Sequence, residues 1–132
     1  MITLHENTQD SIAFQKWLPN AKGKFVLISM KENTGRPDYN WEEFATEASF
    51  EKMKKERDEQ ARAWRDKFRS MGYNSRTLPV ALEKAGAAGI VTSNWSRGFG
   101  VNKVFAAYTK KIPTLDLSLE DYTLLYRLAE NG

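Results

Sequence analysis

The sequence predicts an α+β domain, on three observations. Lys24-Phe25-Val26-Leu27-Ile28-Ser29-Met30 is a near-continuous, partly β-branched apolar run bounded by Gly23 and Lys31, the pattern of a strand buried on both faces. From Asn40 the apolar spacing becomes helical and stays so to Met71. Between Leu78 and Leu119 the chain reads helix, small-residue turn, strand, then a second strand feeding a capped helix. That last stretch is scaffold: nothing in it combines a nucleophile, a base and a metal ligand.

At 132 residues the chain is one domain with room for a core. Its 41% hydrophobic and 28% charged residues place it among ordinary globular proteins rather than disordered or fibrous chains. The 20 basic residues are offset by 17 acidic ones and interleave with them, which argues against the one-sided basic stripe of a nucleic-acid binder. No apolar run approaches the roughly 20 residues that span a bilayer. Residues 1–10 read as a tail, and Met1–Asn7 lacks the basic and apolar regions of a signal peptide. Without cysteine there are no disulfides, thiolate zinc sites or Cys nucleophile.

Taken in order, Ser11–Leu18 reads as a strand on Ile12, Phe14 and Trp17 or Leu18, followed by the turn cluster Pro19–Gly23. Strand Lys24–Met30 leads to a loop punctuated by Gly35 and Pro37. Asn40, with Glu43 three residues on, is the expected cap of the next helix. Trp41, Phe44, Ala45 and Ala48 share one face, continued by Phe50, Met53, Trp64, Phe68 and Met71. Opposite charges four apart (Glu51, Lys55, Glu59; Asp58, Arg62, Asp66) lend a few tenths of a kcal/mol each, roughly 0.2–0.5. Lys54–Gln60 carries no large apolar residue, so this part of the helix is expected to be solvated and to project. Gly72 fits a left-handed end. Thr77 is the expected cap of the short helix, with Pro79 in its first turn. Ala88–Thr92 and Thr114–Leu117 read as strands, Ser93–Gly100 as a loop and Val101–Tyr108 as a strand. Ser118 caps a last helix whose inner face is Leu119, Tyr122, Leu125, Tyr126 and Ala129.

Candidate chemistry is sparse. His5, the sole histidine, sits in the expected tail, and a solvated residue outweighs a metal ligand. Glu42, Glu43 and Glu47 are assigned to the helix dipole rather than to catalysis. Gly98-Phe99-Gly100 lacks the Lys-Ser/Thr and the following helix of a phosphate loop. Gly86 and Gly89 are read as structural. The mixed charges of the long helix make a self-neutralising face. Trp95, Arg97 and Phe99 stand out, because aromatic and Arg side chains are enriched in binding hot spots. Folding of Trp95 and Phe99 back over the sheet end is preferred to an interface there.

Phe25–Ile28, Ala85-Gly86-Ala87-Ala88-Gly89-Ile90-Val91 and Ile112-Pro113-Thr114-Leu115-Asp116-Leu117-Ser118-Leu119-Glu120-Asp121 together resemble a protease-associated (PA) domain. The spacing is most similar to the PA domain inserted in secreted or envelope zinc peptidases of the aminopeptidase and glutamate-carboxypeptidase kind. The match covers about residues 22–130, with its specific motifs in the last fifty or so. The resemblance implies a swivelling β/β/α fold, a small barrel or sandwich sheet with helices at its ends, here carrying a helical insertion over 38–74. It implies a non-catalytic piece of a larger, extracytoplasmic peptidase, with no cofactor in this chain, zinc in the parent's catalytic domain, and that domain in cis as partner. Peptide or protein substrate is a further expected partner; nucleic acid and membrane insertion are not expected. Trp95, Arg97 and Phe99 fall where an adjoining domain or substrate is met, which moves weight toward the interface reading. The alternative function is a stand-alone protein-interaction module using the charged helix or the 95–99 loop. An enzyme in its own right lacks a visible constellation.

Overall fold

The structure, a computed structural model, describes residues 1–4, 8–103 and 107–132. It is a mixed α/β fold. Strands β1 (Ile2–Thr3), β2 (Phe25–Leu27), β3 (Gly89–Thr92) and β6 (Thr114–Asp116) pair in that order. All three pairings are parallel, with Ile2 opposite Val26, Val26 opposite Ile90, and Ile90 opposite Thr114. Strands β4 (Trp95–Ser96) and β5 (Val101–Asn102) form a separate antiparallel ribbon. Helices α1 (Ser11–Trp17), α2 (Asp38–Phe44), α3 (Glu47–Ser70), α4 (Thr77–Lys84) and α5 (Leu119–Glu130) complete the described elements, with a 3-10 turn over Leu18–Ala21.

Parallel neighbours need crossovers, and crossover helices settle on the sheet faces. Side-chain alternation along the strands then divides the core in two. Val26, Ile28 and Ile90 point to one face, where Phe14, Phe68, Leu78 and Leu82 meet them. Leu27 and Val91 point to the other, against Tyr122 and Tyr126 of α5. Val26 and Leu27 are fully buried, as the apolar run requires. The described strands thus make an open sheet with helices on its faces plus a ribbon, rather than a closed barrel with helices at its ends.

Several local expectations are corrected. Ser11–Leu18 is a helix, not a strand: the Asp10 carboxylate accepts the Ala13 N–H at 2.8 Å as an N-cap, and burial falls at Phe14 and Ala21 while Ile12 is exposed. The first four residues are no tail, because β1 forms the edge of the sheet and Leu4 is buried. His5 lies outside the described residues. Asn40 caps nothing. The helix begins at Asp38 behind Pro37, closes at Ala45, and a second one starts from Thr46, whose Oγ1 accepts the Ser49 N–H at 3.2 Å. Glu42 and Glu43 therefore lie in the later part of α2, away from the dipole's positive end; Glu47 alone has that position, in the first turn of α3. Asn74 is the working cap of α4, its Oδ1 accepting the N–H groups of Arg76 and Thr77. Trp95-Ser96 is a strand where a loop was expected. The expected strand Val101–Tyr108 is confined to Val101-Asn102 in what is described, with residues 104–106 outside it.

Other expectations hold. α3 is one uninterrupted helix ending at Ser70, with Gly72 beyond it at φ +86°. Within α3 only Phe68 is buried; of the stretch Lys54–Gln60 expected to be solvated, Lys54 and Arg57 are partly covered, Arg57 by its ion pair with Asp38, and the rest is exposed. The ion pairs are an exception: those expected four apart among Glu51, Lys55, Glu59, Asp58, Arg62 and Asp66 are not the ones formed. Glu51 pairs with Lys54 and Asp66 with Arg69, three residues away, and the observed pair at four is Lys52–Glu56. Gly86 takes φ +88° just past α4, a conformation costly for any residue with a Cβ. A Cβ on Gly89 would collide with the Phe25 ring. Ser118 caps α5 by accepting the Asp121 N–H at 3.2 Å.

Two polar clasps tie connections to this frame. The Tyr122 hydroxyl accepts the Ser29 N–H at 2.8 Å and donates to the Ser29 carbonyl at 2.6 Å; burial pushes its pKa far up, so it stays neutral. Tyr122→Phe strands both backbone groups and is expected to cost about 1–3 kcal/mol. Urea unfolding measures this, and a loss below about 0.5 kcal/mol refutes the clasp. The second clasp is Glu83 at the end of α4. Its Oε2 accepts three successive N–H groups, Lys110 at 2.9 Å, Lys111 at 2.6 Å and Ile112 at 3.1 Å. These bonds, Lys111's foremost, hold the carboxyl pKa below its ordinary value against an opposing desolvation. A depressed carboxylate stabilises above its unfolded pKa, and that contribution fades as pH falls through the folded value. The melting difference between wild type and Glu83→Gln is therefore expected at neutral pH and should narrow below the ordinary carboxylate range. Solvent exposure keeps it small. A pH-independent difference would contradict the linkage.

Candidate functional site

Because all four strands of the main sheet run the same way, their carboxyl ends gather at one edge. Ser29, Thr92 to Asn94, and Asp116 all lie there. In open α/β sheets this edge is the usual place for ligands.

Asp116 organises it. Its Oδ1 accepts the Asn94 N–H at 2.9 Å, the Asn94 amide at 3.2 Å and the Thr92 hydroxyl at 3.2 Å; its Oδ2 accepts the Asn102 amide at 3.4 Å. The Asn102 amide also donates to the Leu117 carbonyl. One carboxylate thus holds the exit of β3 and the return strand of the ribbon. Ser29 contributes by accepting the Ser93 N–H on its Oγ at 2.9 Å.

The ribbon is held from the other side as well. The Arg97 guanidinium pairs with Glu32 at 3.2 Å, both side chains mostly covered. The Arg97 carbonyl accepts the Asp38 N–H at 2.8 Å. Pro37 lies against Gly100, where a Cβ would stand 3.0 Å from its Cγ. Asp38 in turn takes Arg57 of α3 in a two-point ion pair, 2.6 and 3.3 Å. Ribbon, α2 and the first half of α3 are therefore one linked assembly.

Of the three residues singled out from sequence, Trp95 is half-buried in β4 and Arg97 is engaged by Glu32. Phe99, at the ribbon's tip, is 75% exposed, so it does not cover the sheet end: a short ribbon has no core beneath its tip to receive the ring. Val101 beside it and Tyr39 on the neighbouring α2 are also exposed.

Beside the ribbon a cleft of about 860 Å³ opens at the carboxyl edge. Its apolar wall is Ile28, Trp64, Phe68, Pro79 and Ile90, with the Trp64 Nε1–H donated to the Ile28 carbonyl at 3.2 Å. Arg65, Arg69, Arg76 and Arg97 line it, against Glu32 and Asp116. Sequence reasoning missed the cleft because its side chains come from segments up to 88 positions apart, Ile28 to Asp116. The available signal was polar residues at strand ends, Ser29, Ser93 and Asp116, once the strands were known to be parallel.

Among the described residues no three His, Cys, Asp or Glu side chains are grouped to hold a metal ion, and no helix is long and apolar enough to cross a membrane. Comparison with family models, with curated proteins and with solved structures finds no match for this chain.

Proposed function

We infer that the chain is a non-catalytic protease-associated domain of the β/β/α kind, serving a zinc peptidase by meeting its catalytic domain or its substrate. The observation that carries this reading is the 93–103 ribbon. It is clamped at its base by Asp116 and at its flank by Asp38 and Glu32, yet presents Phe99 bare at its tip. Rigid support under an exposed aromatic is what a contact surface needs. The Ala85–Val91 and Ile112–Asp121 segments that resemble the family support the same reading. Peptide-bond hydrolysis, the zinc that drives it and an extracytoplasmic location belong to the parent in this proposal.

The test is co-elution of this chain with the remainder of its parent on size exclusion. Wild type is expected to co-elute, and Phe99→Ala to weaken the complex about tenfold or more, the scale of an aromatic hot spot. Failure of the wild type to co-elute removes the reading, and leaves the stand-alone interaction module.

A further inference from the structure

The cleft at the carboxyl edge has a lining that the contact reading leaves unused. Its charge is unbalanced. Arg97 is neutralised by Glu32, and Arg69 by Asp66 at 2.9 Å. Asp116 is occupied by four donors. Arg65 and Arg76 line the cleft with no carboxylate partner among the described residues. They approach it from different elements, Arg65 from α3 and Arg76 from the turn before α4.

The hydroxyl of Ser93, a residue that lines the cleft, is buried and has no hydrogen-bond partner among the described residues. A buried polar atom without a partner costs free energy that a bound group recovers. The Trp64–Phe68 pair, ring centres 5.5 Å apart, forms an apolar shelf in the same cleft. The volume lies within the range of about 300–1,000 Å³ typical of small-ligand sites.

We propose that this cleft binds a short acidic peptide: carboxylates on Arg65 and Arg76, an apolar side chain on the Trp64–Phe68 shelf, and a peptide amide against Ser93. The lining selects this class. The guanidinium fork matches a carboxylate, the shelf accepts a ring or branched chain, and a lone neutral hydroxyl suits an amide better than a second charge. The proposal does not depend on the domain-contact reading, since it uses neither Phe99 nor any residue of a parent chain.

Calorimetric titration of the 132-residue chain at low ionic strength tests it. The probe is the acetylated, amidated tripeptide Asp-Phe-Asp, with Lys-Phe-Lys and phenyl phosphate as comparisons. Saturable binding of Asp-Phe-Asp alone is expected, weakened at least tenfold by Arg65→Glu with Arg76→Glu. Both positions are exposed, so circular dichroism of the variant should match wild type, and the paired Gln variant should weaken binding in the same direction by less. No saturation at millimolar Asp-Phe-Asp, equal binding of Lys-Phe-Lys, or unchanged affinity in the variants overturns the proposal. Tighter binding of phenyl phosphate than of Asp-Phe-Asp overturns the peptide assignment.

Discussion

Phe14→Ala is expected to remove about 3–5 kcal/mol of stability, the usual loss when a buried aromatic is cut to alanine. The ring has no exposed surface. It stacks on Trp17 at 5.8 Å and meets Tyr73 edge-on at 5.1 Å. Those partners come from its own helix and from the turn after α3, so the cavity lies where these two segments join and has little freedom to collapse. Against a typical domain stability of about 5–15 kcal/mol, the variant should retain only part of its margin, read as a lower urea midpoint. Ile12→Ala is the paired control. In a strand, residues 12 and 14 share a face; in the observed helix Ile12 is 68% exposed and its truncation should cost under about 0.5 kcal/mol. Equal losses at both positions would favour a strand and contradict α1.

Asp116→Ala carries the second large effect, about 3 kcal/mol, because it leaves donors from Thr92, Asn94 and Asn102 without their charged acceptor. The local consequence is more telling than the global one. The Lys103 N–H bonds the Asn94 carbonyl at 2.8 Å, so when Asn94 loses its anchor the ribbon loses its base. Hydrogen exchange should accelerate across residues 94–103 while Val26 and Ile90, in the sheet interior, keep their protection relative to the lowered global stability. Asp116→Asn keeps one acceptor oxygen and is expected to fall between the two. Uniform acceleration over the whole domain would mean that Asp116 serves the sheet rather than the ribbon.

What the sequence revealed and what it hid divide along a physical line. The strand at Phe25–Leu27, the end of α3 near Gly72 and the Ser118 cap of α5 were legible because each is specified within a few neighbouring residues. The inner face of α5 was legible by its period, and Tyr122 and Tyr126 are indeed buried. Ser11–Trp17 misled because seven residues with apolar positions at 12, 14 and 17 satisfy both periods, and the deciding feature, the Asp10 cap, lies just outside the apolar run. The break at Ala45-Thr46 was hidden by continuous helical spacing across it. The ion pairs Arg57–Asp38 and Arg97–Glu32, and the carboxylate hub at Asp116, bring together residues 14 to 65 positions apart. Nothing local marks such partners. The parallel order of the strands, which creates the cleft, is a property of the whole chain.

The one-sided grip on α3 has a mechanical consequence. Phe68 fixes the helix in the body, and Arg57, eleven residues earlier, stands about 16 Å up its axis at 1.5 Å per residue. A tilt of about 10° about Phe68 moves the guanidinium by roughly 3 Å, more than a hydrogen bond can stretch. Any swing of this lever therefore either breaks its hold on Asp38 or drags α2, and with it the Arg97 backbone. While that hold lasts, the position of the first half of α3 and the position of the ribbon are set together.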